Sequence, residues 1–152
     1  MATEKKEKDR LILGLAHTAY VVSDMEAAVR FYGEALGFSR AFDLADSEGR
    51  PWIVYLYAGG GQFVELFYGR AGDPVKAGRI GADHLCLLTE RIEETAAHLK
   101  AGGWPLDADV NRGKDGNLQC WTHDPDGNRI EIMQMGENSL QLNYVRALPE
   151  NG

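Results

Sequence analysis

The chain repeats itself, and that repeat limits what it can fold into. Residues 15–22 (LAHTAYVV) and 82–89 (ADHLCLLT) are short apolar segments with one histidine at matching places. Both read as strands. Each leads into a helical pattern. Ser23 or Asp24 can cap the first helix, with Met25, Ala28, Val29, Phe31 and Tyr32 apolar; Ile92, Ala96 and Leu99 recur at helical spacing in the second, after early acids at Glu93 and Glu94. Both helices stop at glycine followed by an aromatic, Gly37-Phe38 and Gly103-Trp104, as a left-handed cap or tight turn requires. Three further strands are predicted in each half, at 38–44, 52–57 and 62–68, then at 106–111, 118–122 and 129–135. Gly59-Gly60-Gly61 and Asp124-Pro125-Asp126-Gly127 turn the last two strands of each half.

The order strand, helix, strand, strand, strand therefore occurs twice, in modules at 11–70 and 80–135 of a single domain at 11–135. The loop at 69–81 is the natural boundary. Residues 1–10 mix Lys5, Lys6 and Lys8 with Glu4, Glu7 and Asp9 and lack apolar residues other than at the start; they read as a disordered tail without the apolar stretch of a signal peptide. Residues 136–152 form an extension with no counterpart in the first half. Its Leu140, Leu142, Tyr144 and Val145 could pack on the domain or on a partner.

Chemistry enters through four residues. Sixty-seven positions separate His17 from His84, and sixty-six separate Glu65 from Glu131. Alternate side chains of a strand share a face, so His17 lies with Ala19 and Val21, His84 with Cys86 and Leu88, Glu65 with Phe63 and Phe67, and Glu131 with Arg129 and Met133. Each glutamate sits between apolar neighbours, as Val64-Glu65-Leu66 and Ile130-Glu131-Ile132. A buried carboxylate needs a partner. Two imidazoles and two carboxylates converging on one cleft would meet that need by holding one divalent ion, and such donors suit zinc, nickel, cobalt, iron or manganese. Taken singly, each is as readily a structural histidine or an edge glutamate; the matched repeat favours the metal. Of the remaining histidines, His98 reads as solvated and His123 as a turn residue or part of the cleft rim.

Composition excludes other classes. The net charge of −7 argues against nucleic acid, which needs a basic face. No apolar run reaches the ~20 residues of a membrane helix. Cys86 and Cys120 lack a CxxC pairing and read as two buried free thiols of a cytoplasmic protein.

The segments HTAYVVSDMEAAVRFYGEALGF, FVELF, DHLCLLT and DPDGNRIEIMQ, spanning about residues 13 to 135, resemble the vicinal oxygen chelate superfamily, which includes glyoxalase I, methylmalonyl-CoA epimerase, extradiol dioxygenases and bleomycin-resistance proteins. The resemblance implies an α+β fold of two βαβββ modules forming a cup-shaped mixed sheet around a metal. The order His17, Glu65, His84, Glu131 is similar to the glyoxalase I metal set, whereas the dioxygenases typically use two His and one Glu. Two departures count against glutathione-linked substrates: Thr18-Ala19-Tyr20-Val21 follows His17 where that family commonly has an Arg, and Leu66-Phe67-Tyr68-Gly69 follows Glu65 where it commonly has an Asn. Lys114 roughly matches a basic loop of the family and equally suits a solvated loop.

The resemblance thus implies a metal-dependent isomerase, epimerase or lyase of the glyoxalase type, with Glu131 and then Glu65 as the proton-moving bases on an enediolate from a small α-oxygenated carbonyl compound. Trp52, Tyr55, Phe63, Phe67, Trp121, Arg129 and Met133 are expected to line the substrate cleft, although the aromatic ones could equally be core. A homodimer is expected, with no nucleic-acid or membrane partner. Two alternatives stay open: an Fe(II) extradiol-type dioxygenase, and a non-catalytic small-molecule binding protein of the bleomycin-resistance kind.

Overall fold

A computed structural model describes residues 15–70, 82 and 84–147, leaving aside the side chains of Tyr144 and Val145. The expected tail at 1–10 and most of the boundary loop at 69–81 lie outside these residues. The first module runs β1 (His17–Val22), α1 (Met25–Arg30) continued by a π-turn (Phe31–Ala35), β2 (Ser39–Ala45), β3 (Pro51–Gly59) and β4 (Gln62–Tyr68). The second repeats the order as β5 (His84–Leu88), α2 (Ile92–Ala101), β6 (Ala108–Arg112), β7 (Leu118–His123) and β8 (Arg129–Gln134), and α3 (Leu140–Ala147) follows. The α+β class and the paired βαβββ modules are as the sequence predicts.

Each module is one four-stranded mixed sheet, ordered β1-β4-β3-β2 in the first and β5-β8-β7-β6 in the second. The first and last strands of each pair in parallel, the others antiparallel. A parallel pair needs a long crossover, and here the helix and two strands supply it. Asp24 caps α1 by accepting from the Ala27 amide, 3.0 Å away. The predicted stops hold: Gly37 and Gly103 both take positive φ (76° and 72°), which costs glycine nothing.

The helices do not serve two separate cores. Val22, Val54, Leu56, Val64 and Leu66 of the first sheet, Cys120, Ile130 and Ile132 of the second, and the inner faces of α1 and α2 form one buried cluster. The π-turn lets the consecutive Phe31 and Tyr32 both enter it. Phe31 meets Trp104 of the second module edge to face at 5.6 Å, and His98, exposed as expected, reaches the Glu34 carbonyl through Nε2 at 2.9 Å.

A polar bond also crosses between the modules. Asp124, only 1% exposed, accepts from the Tyr32 hydroxyl at 3.0 Å, from the amides of Asp126 and Asn128, and from the Asn128 side chain. The DPDG turn thus organises itself around a buried carboxylate that also holds the first helix. Burial and that carboxylate raise the Tyr32 pKa far above the ordinary phenol value, so the hydroxyl remains a donor. Beside it, Asp126 accepts from the Ser23 amide and hydroxyl.

The described part of the extension forms α3 and is docked, which its sequence left undecided. Asn117 is buried beneath it, donates to Asp115 and Gln141, and accepts from the Gly136 amide. The Leu140 amide donates to the Asp115 carbonyl, while the Leu140 side chain stays exposed. Among the described residues, no helix is long and apolar enough to cross a membrane.

Tyr32→Phe leaves a buried carboxylate short of a donor and is expected to cost about 2 kcal/mol; Asp124→Ala is expected to cost about 3 kcal/mol, because several donors lose their acceptor. Urea denaturation measures both, and an unchanged midpoint in Tyr32→Phe would remove the inter-module bond as a source of stability.

Candidate active site

Register explains how each histidine meets its glutamate. In the first sheet Ala19 pairs with Glu65 and His17 with Phe63. In the second, Cys86 pairs with Glu131 and His84 with Arg129. The two offsets are the same, so each imidazole lies diagonally across a parallel strand pair from its carboxylate. His17 Nε2 is 3.4 Å from Glu65 Oε1, and His84 Nε2 is 3.1 Å from Glu131 Oε2. Both pairs occupy the sheet face turned away from the helical core, because the alternate residues Val64, Leu66, Ile130 and Ile132 face into it.

The faces around the pairs differ. Glu65 is only 6% exposed. Tyr55 is its cross-strand neighbour and hydrogen-bonds to it, which raises the Tyr55 pKa and keeps the phenol a donor. Phe42 stacks on Tyr55 at 4.4 Å, and Phe63 contacts Phe42, Tyr55 and Tyr57. Trp52 meets Phe67 edge-on at 5.8 Å. Strict alternation would put Trp52 opposite to Ile53, the partner of Phe67; the pairing of β2 and β3 is irregular just there, between Leu44 and Ala45, and Trp52 comes round to Phe67.

On the second face Trp121 is the cross-strand neighbour of Glu131. Its ring packs against His84 at 4.8 Å and lies under the Arg129 guanidinium at 4.5 Å. Met133 is buried on the same strand. His123 pairs with Asp107 at 2.8 Å, so it is tied to the sheet edge. Lys114 is exposed in the turn between β6 and β7. Cys120 is buried as expected, but Cys86 is exposed, which corrects the expectation of two buried thiols: β5 is an edge strand, and residue 86 falls on its outward face. Even so, the Cys86 pKa is pushed up to about 12, by burial of the sulfur against the sheet, then by the Glu131 charge and the hydrogen bond to that carboxylate. Sequence reasoning passed over the Tyr55–Glu65 and Cys86–Glu131 bonds. Their signal is strand register, which alternation alone does not provide.

Each pair fits a metal. Two donors about 2.1 Å from one ion lie about 3.0 Å apart at a right angle and about 3.4 Å apart at the tetrahedral angle, and the two observed separations fall in that span. Neutral imidazole with carboxylate is also ordinary chemistry for divalent first-row ions. The four residues do not come together within one chain, however. Among the described residues, no three His, Cys, Asp or Glu side chains are close enough to share an ion. The expected convergence of all four on one cleft is therefore not found among the described residues; the structure holds one His–Glu pair on each sheet.

Two mixed sheets on a shared helical core, each closed by a parallel strand pair that carries one His–Glu pair, define a paired-module βαβββ protein. The chain belongs to the Glyoxalase/Bleomycin resistance protein/Dioxygenase superfamily, whose family pattern matches residues 14–132. It is 32% identical over 124 residues to Virulence protein STM3117 of Salmonella typhimurium, covering 78% of this chain and 81% of that one. It is 26% identical over 145 residues to a probable chloroplastic lactoylglutathione lyase of Arabidopsis thaliana, covering 93% of this chain but only 40% of the plant protein's length. Among solved structures, a superfamily member from Sphaerobacter thermophilus superposes with a TM-score of 0.65 at 28% identity, over 83% of this chain and all of that one.

The raised Cys86 pKa has a direct consequence. In metal-free protein near pH 8 the thiol stays protonated, so iodoacetamide should alkylate Cys86 at least about 100-fold more slowly than a free cysteine of pKa ~8.5. Glu131→Gln removes that charge and weakens the acceptor, leaving burial as the main cause, and should speed the reaction. Labelling of Cys86 at the free-cysteine rate in the unaltered protein would contradict the assignment.

Proposed function

We propose that the protein is a metal-dependent isomerase or lyase of the glyoxalase type, moving a proton on a small α-oxygenated carbonyl compound. The observation that carries the reading is the pair of His–carboxylate half-sites at equivalent register positions in the two modules. A binding protein of this fold has no need of such a matched set. The plant relative named as a probable lactoylglutathione lyase points the same way.

A complete site takes a second copy of the chain. The two half-sites lie on separate sheets whose inner faces share one core. A homodimer that sets the first-module face of one copy against the second-module face of the other brings His17 and Glu65 together with the partner copy's second half-site. The exposed apolar side chains of Val21, Phe42, Leu44, Trp52 and Leu88 on these faces give such an interface surface to cover.

His17, Glu65, His84 and Glu131 would hold the ion. When bound, it supplies Lewis acidity toward the carbonyl and offsets the negative charge that develops as the neighbouring C–H ionises. The protein's own part is to position and to move the proton. Glu131 accepts the proton from carbon and returns it to the same or the adjacent carbon, so the overall change is an isomerisation with no redox step. The aromatic face formed by Trp52, Phe63 and Phe67 walls one side and excludes water. Glu65 is the residue that favours this reading over dioxygen chemistry, since two carboxylates with two neutral imidazoles balance a divalent charge and ask for no change of oxidation state.

The cross-chain site can be tested by mixing. His17→Ala and His84→Ala homodimers should each lack an intact four-residue site. Unfolded and refolded together, half of the dimers are mixed and hold one intact site, so tight metal binding should return to about a quarter of the unaltered level. Recovery of none would argue against a shared site, and full metal content in either variant alone would remove that histidine from the set. Chemistry is tested in deuterated water with Ni²⁺ and a panel of α-hydroxy-ketones and α-ketoacids: exchange of the proton beside the carbonyl should need metal and should vanish in Glu131→Gln. Oxygen uptake with a catechol by Fe(II)-loaded protein, without any such exchange, would overturn the isomerase reading.

A further inference from the structure

The strand register also sets two further residues in line with each histidine, and the two modules fill that line differently. In the first sheet the row across β1, β4 and β3 is His17, Phe63, Tyr57. In the second, the same row across β5, β8 and β7 is His84, Arg129, His123. The rows are equivalent by register, so an aromatic ring in one module stands where a permanent cation stands in the other. Neighbouring strands lie about 4.8 Å apart, which puts Arg129 beside His84. Glu131 follows two residues, or about 7 Å, along β8.

Arg129 is exposed but held. Its guanidinium lies over the Trp121 ring, 4.5 Å from the centroid, and the same ring meets His84 edge to face at 4.8 Å. One indole thus sets the spacing between the guanidinium and the histidine. Such a contact uses the positive charge and occupies none of the five N–H donors. Arg129 has other contacts besides, and a five-donor fork can keep them and still take a ligand. The row ends at His123, whose Nδ1 lies 3.0 and 2.8 Å from the two Asp107 carboxylate oxygens. The carboxylates that border the row, Asp107 and Glu131, are therefore each matched by an imidazole.

Resting on the metal-dependent reading above, we propose that Arg129 sets the substrate class of the site: an α-oxygenated carbonyl compound with a carboxylate at its far end. The guanidinium grips that carboxylate while the α-oxygenated end lies at the His84–Glu131 pair. A planar carboxylate matches the guanidinium fork in shape and carries the single charge that one guanidinium offsets; a phosphate group carries nearly two. Phe63, at the equivalent place in the other module, offers an anion no partner. The acid end of the molecule then has one way to lie.

Two ligands that differ only at the far end test this: 2-oxoglutarate and its 5-methyl ester, which share one α-ketoacid head. Calorimetry on the nickel-loaded, full-length protein should show the diacid bound about 10- to 100-fold more tightly than the ester, the usual weight of a hydrogen bond between charged groups. Arg129→Gln should cut that preference to about 2-fold or less, since the fork is gone. Arg129→Lys keeps the charge without the fork and should show an intermediate preference. Urea midpoints within error of the unaltered protein exclude a loss of fold as the cause. Equal binding of diacid and ester, or a preference that survives in Arg129→Gln, overturns the role of Arg129 and leaves the metal reading standing. Binding of neither compound overturns the substrate class. A phosphonate in place of the far carboxylate, bound as tightly as the diacid or more so, overturns the choice of carboxylate. Binding that is the same with and without nickel overturns the metal reading, and the proposal with it.

Discussion

The parallel pairing of the first and last strands of each module is the constraint on which the rest depends. It fixes a diagonal between β1 and β4 and repeats it between β5 and β8. That diagonal turns a histidine and a glutamate far apart in sequence into a pair of donors within 3.4 Å. A slip of one residue would send the carboxylate into the helical core. The core prevents the slip: Val64 and Leu66, or Ile130 and Ile132, must face inward, and the glutamate between them is then obliged to face out.

The same core decides how the two His–Glu pairs are distributed. Both sheets give their inner faces to one set of helices, and the modules are tied by Tyr32 to Asp124 and by Ser23 to Asp126. Their outer faces, each with one His–Glu pair, lie on different sheets. A fold that shares its core between modules in this way places half of a four-residue set on each, and so makes association of two copies part of the proposed active site. The exposed aromatics on the first sheet fit that arrangement better than a free surface, since so many apolar side chains on one face are costly to leave in water.

The two modules share one strand order and differ at a few matching register positions. Tyr55 and Trp121 hold the same register position beside the two glutamates, and Ala19 and Cys86 hold the opposite one, so the neighbours of each glutamate differ while the strands keep one pattern. The cluster of Phe42, Tyr55, Phe63, Trp52 and Phe67 lies on the first sheet, whereas the second carries Trp121 beneath Arg129.

Much of this was readable from the chain itself. The repeat gave two modules, the glycine-aromatic stops ended both helices where expected, and the alternation around Glu65 and Glu131 identified which faces carry the histidines. Period-two patterning encodes faces, because each side chain's direction follows locally from its neighbours in a strand. Other features needed the tertiary structure. The exposure of Cys86 depends on β5 lying at a sheet edge, and the place of Trp52 depends on an irregularity in the pairing of β2 and β3. The bond from Tyr55 to Glu65 depends on the register between two strands, and the docking of α3 on a buried asparagine far from it in sequence. Above all, the sequence named four ligand-capable residues but not whether one chain gathers them. That is decided by how two sheets pack on common helices, a long-range choice made by the summed burial of Phe31, Tyr32, Leu99 and their neighbours, and no local pattern around any of the four records it.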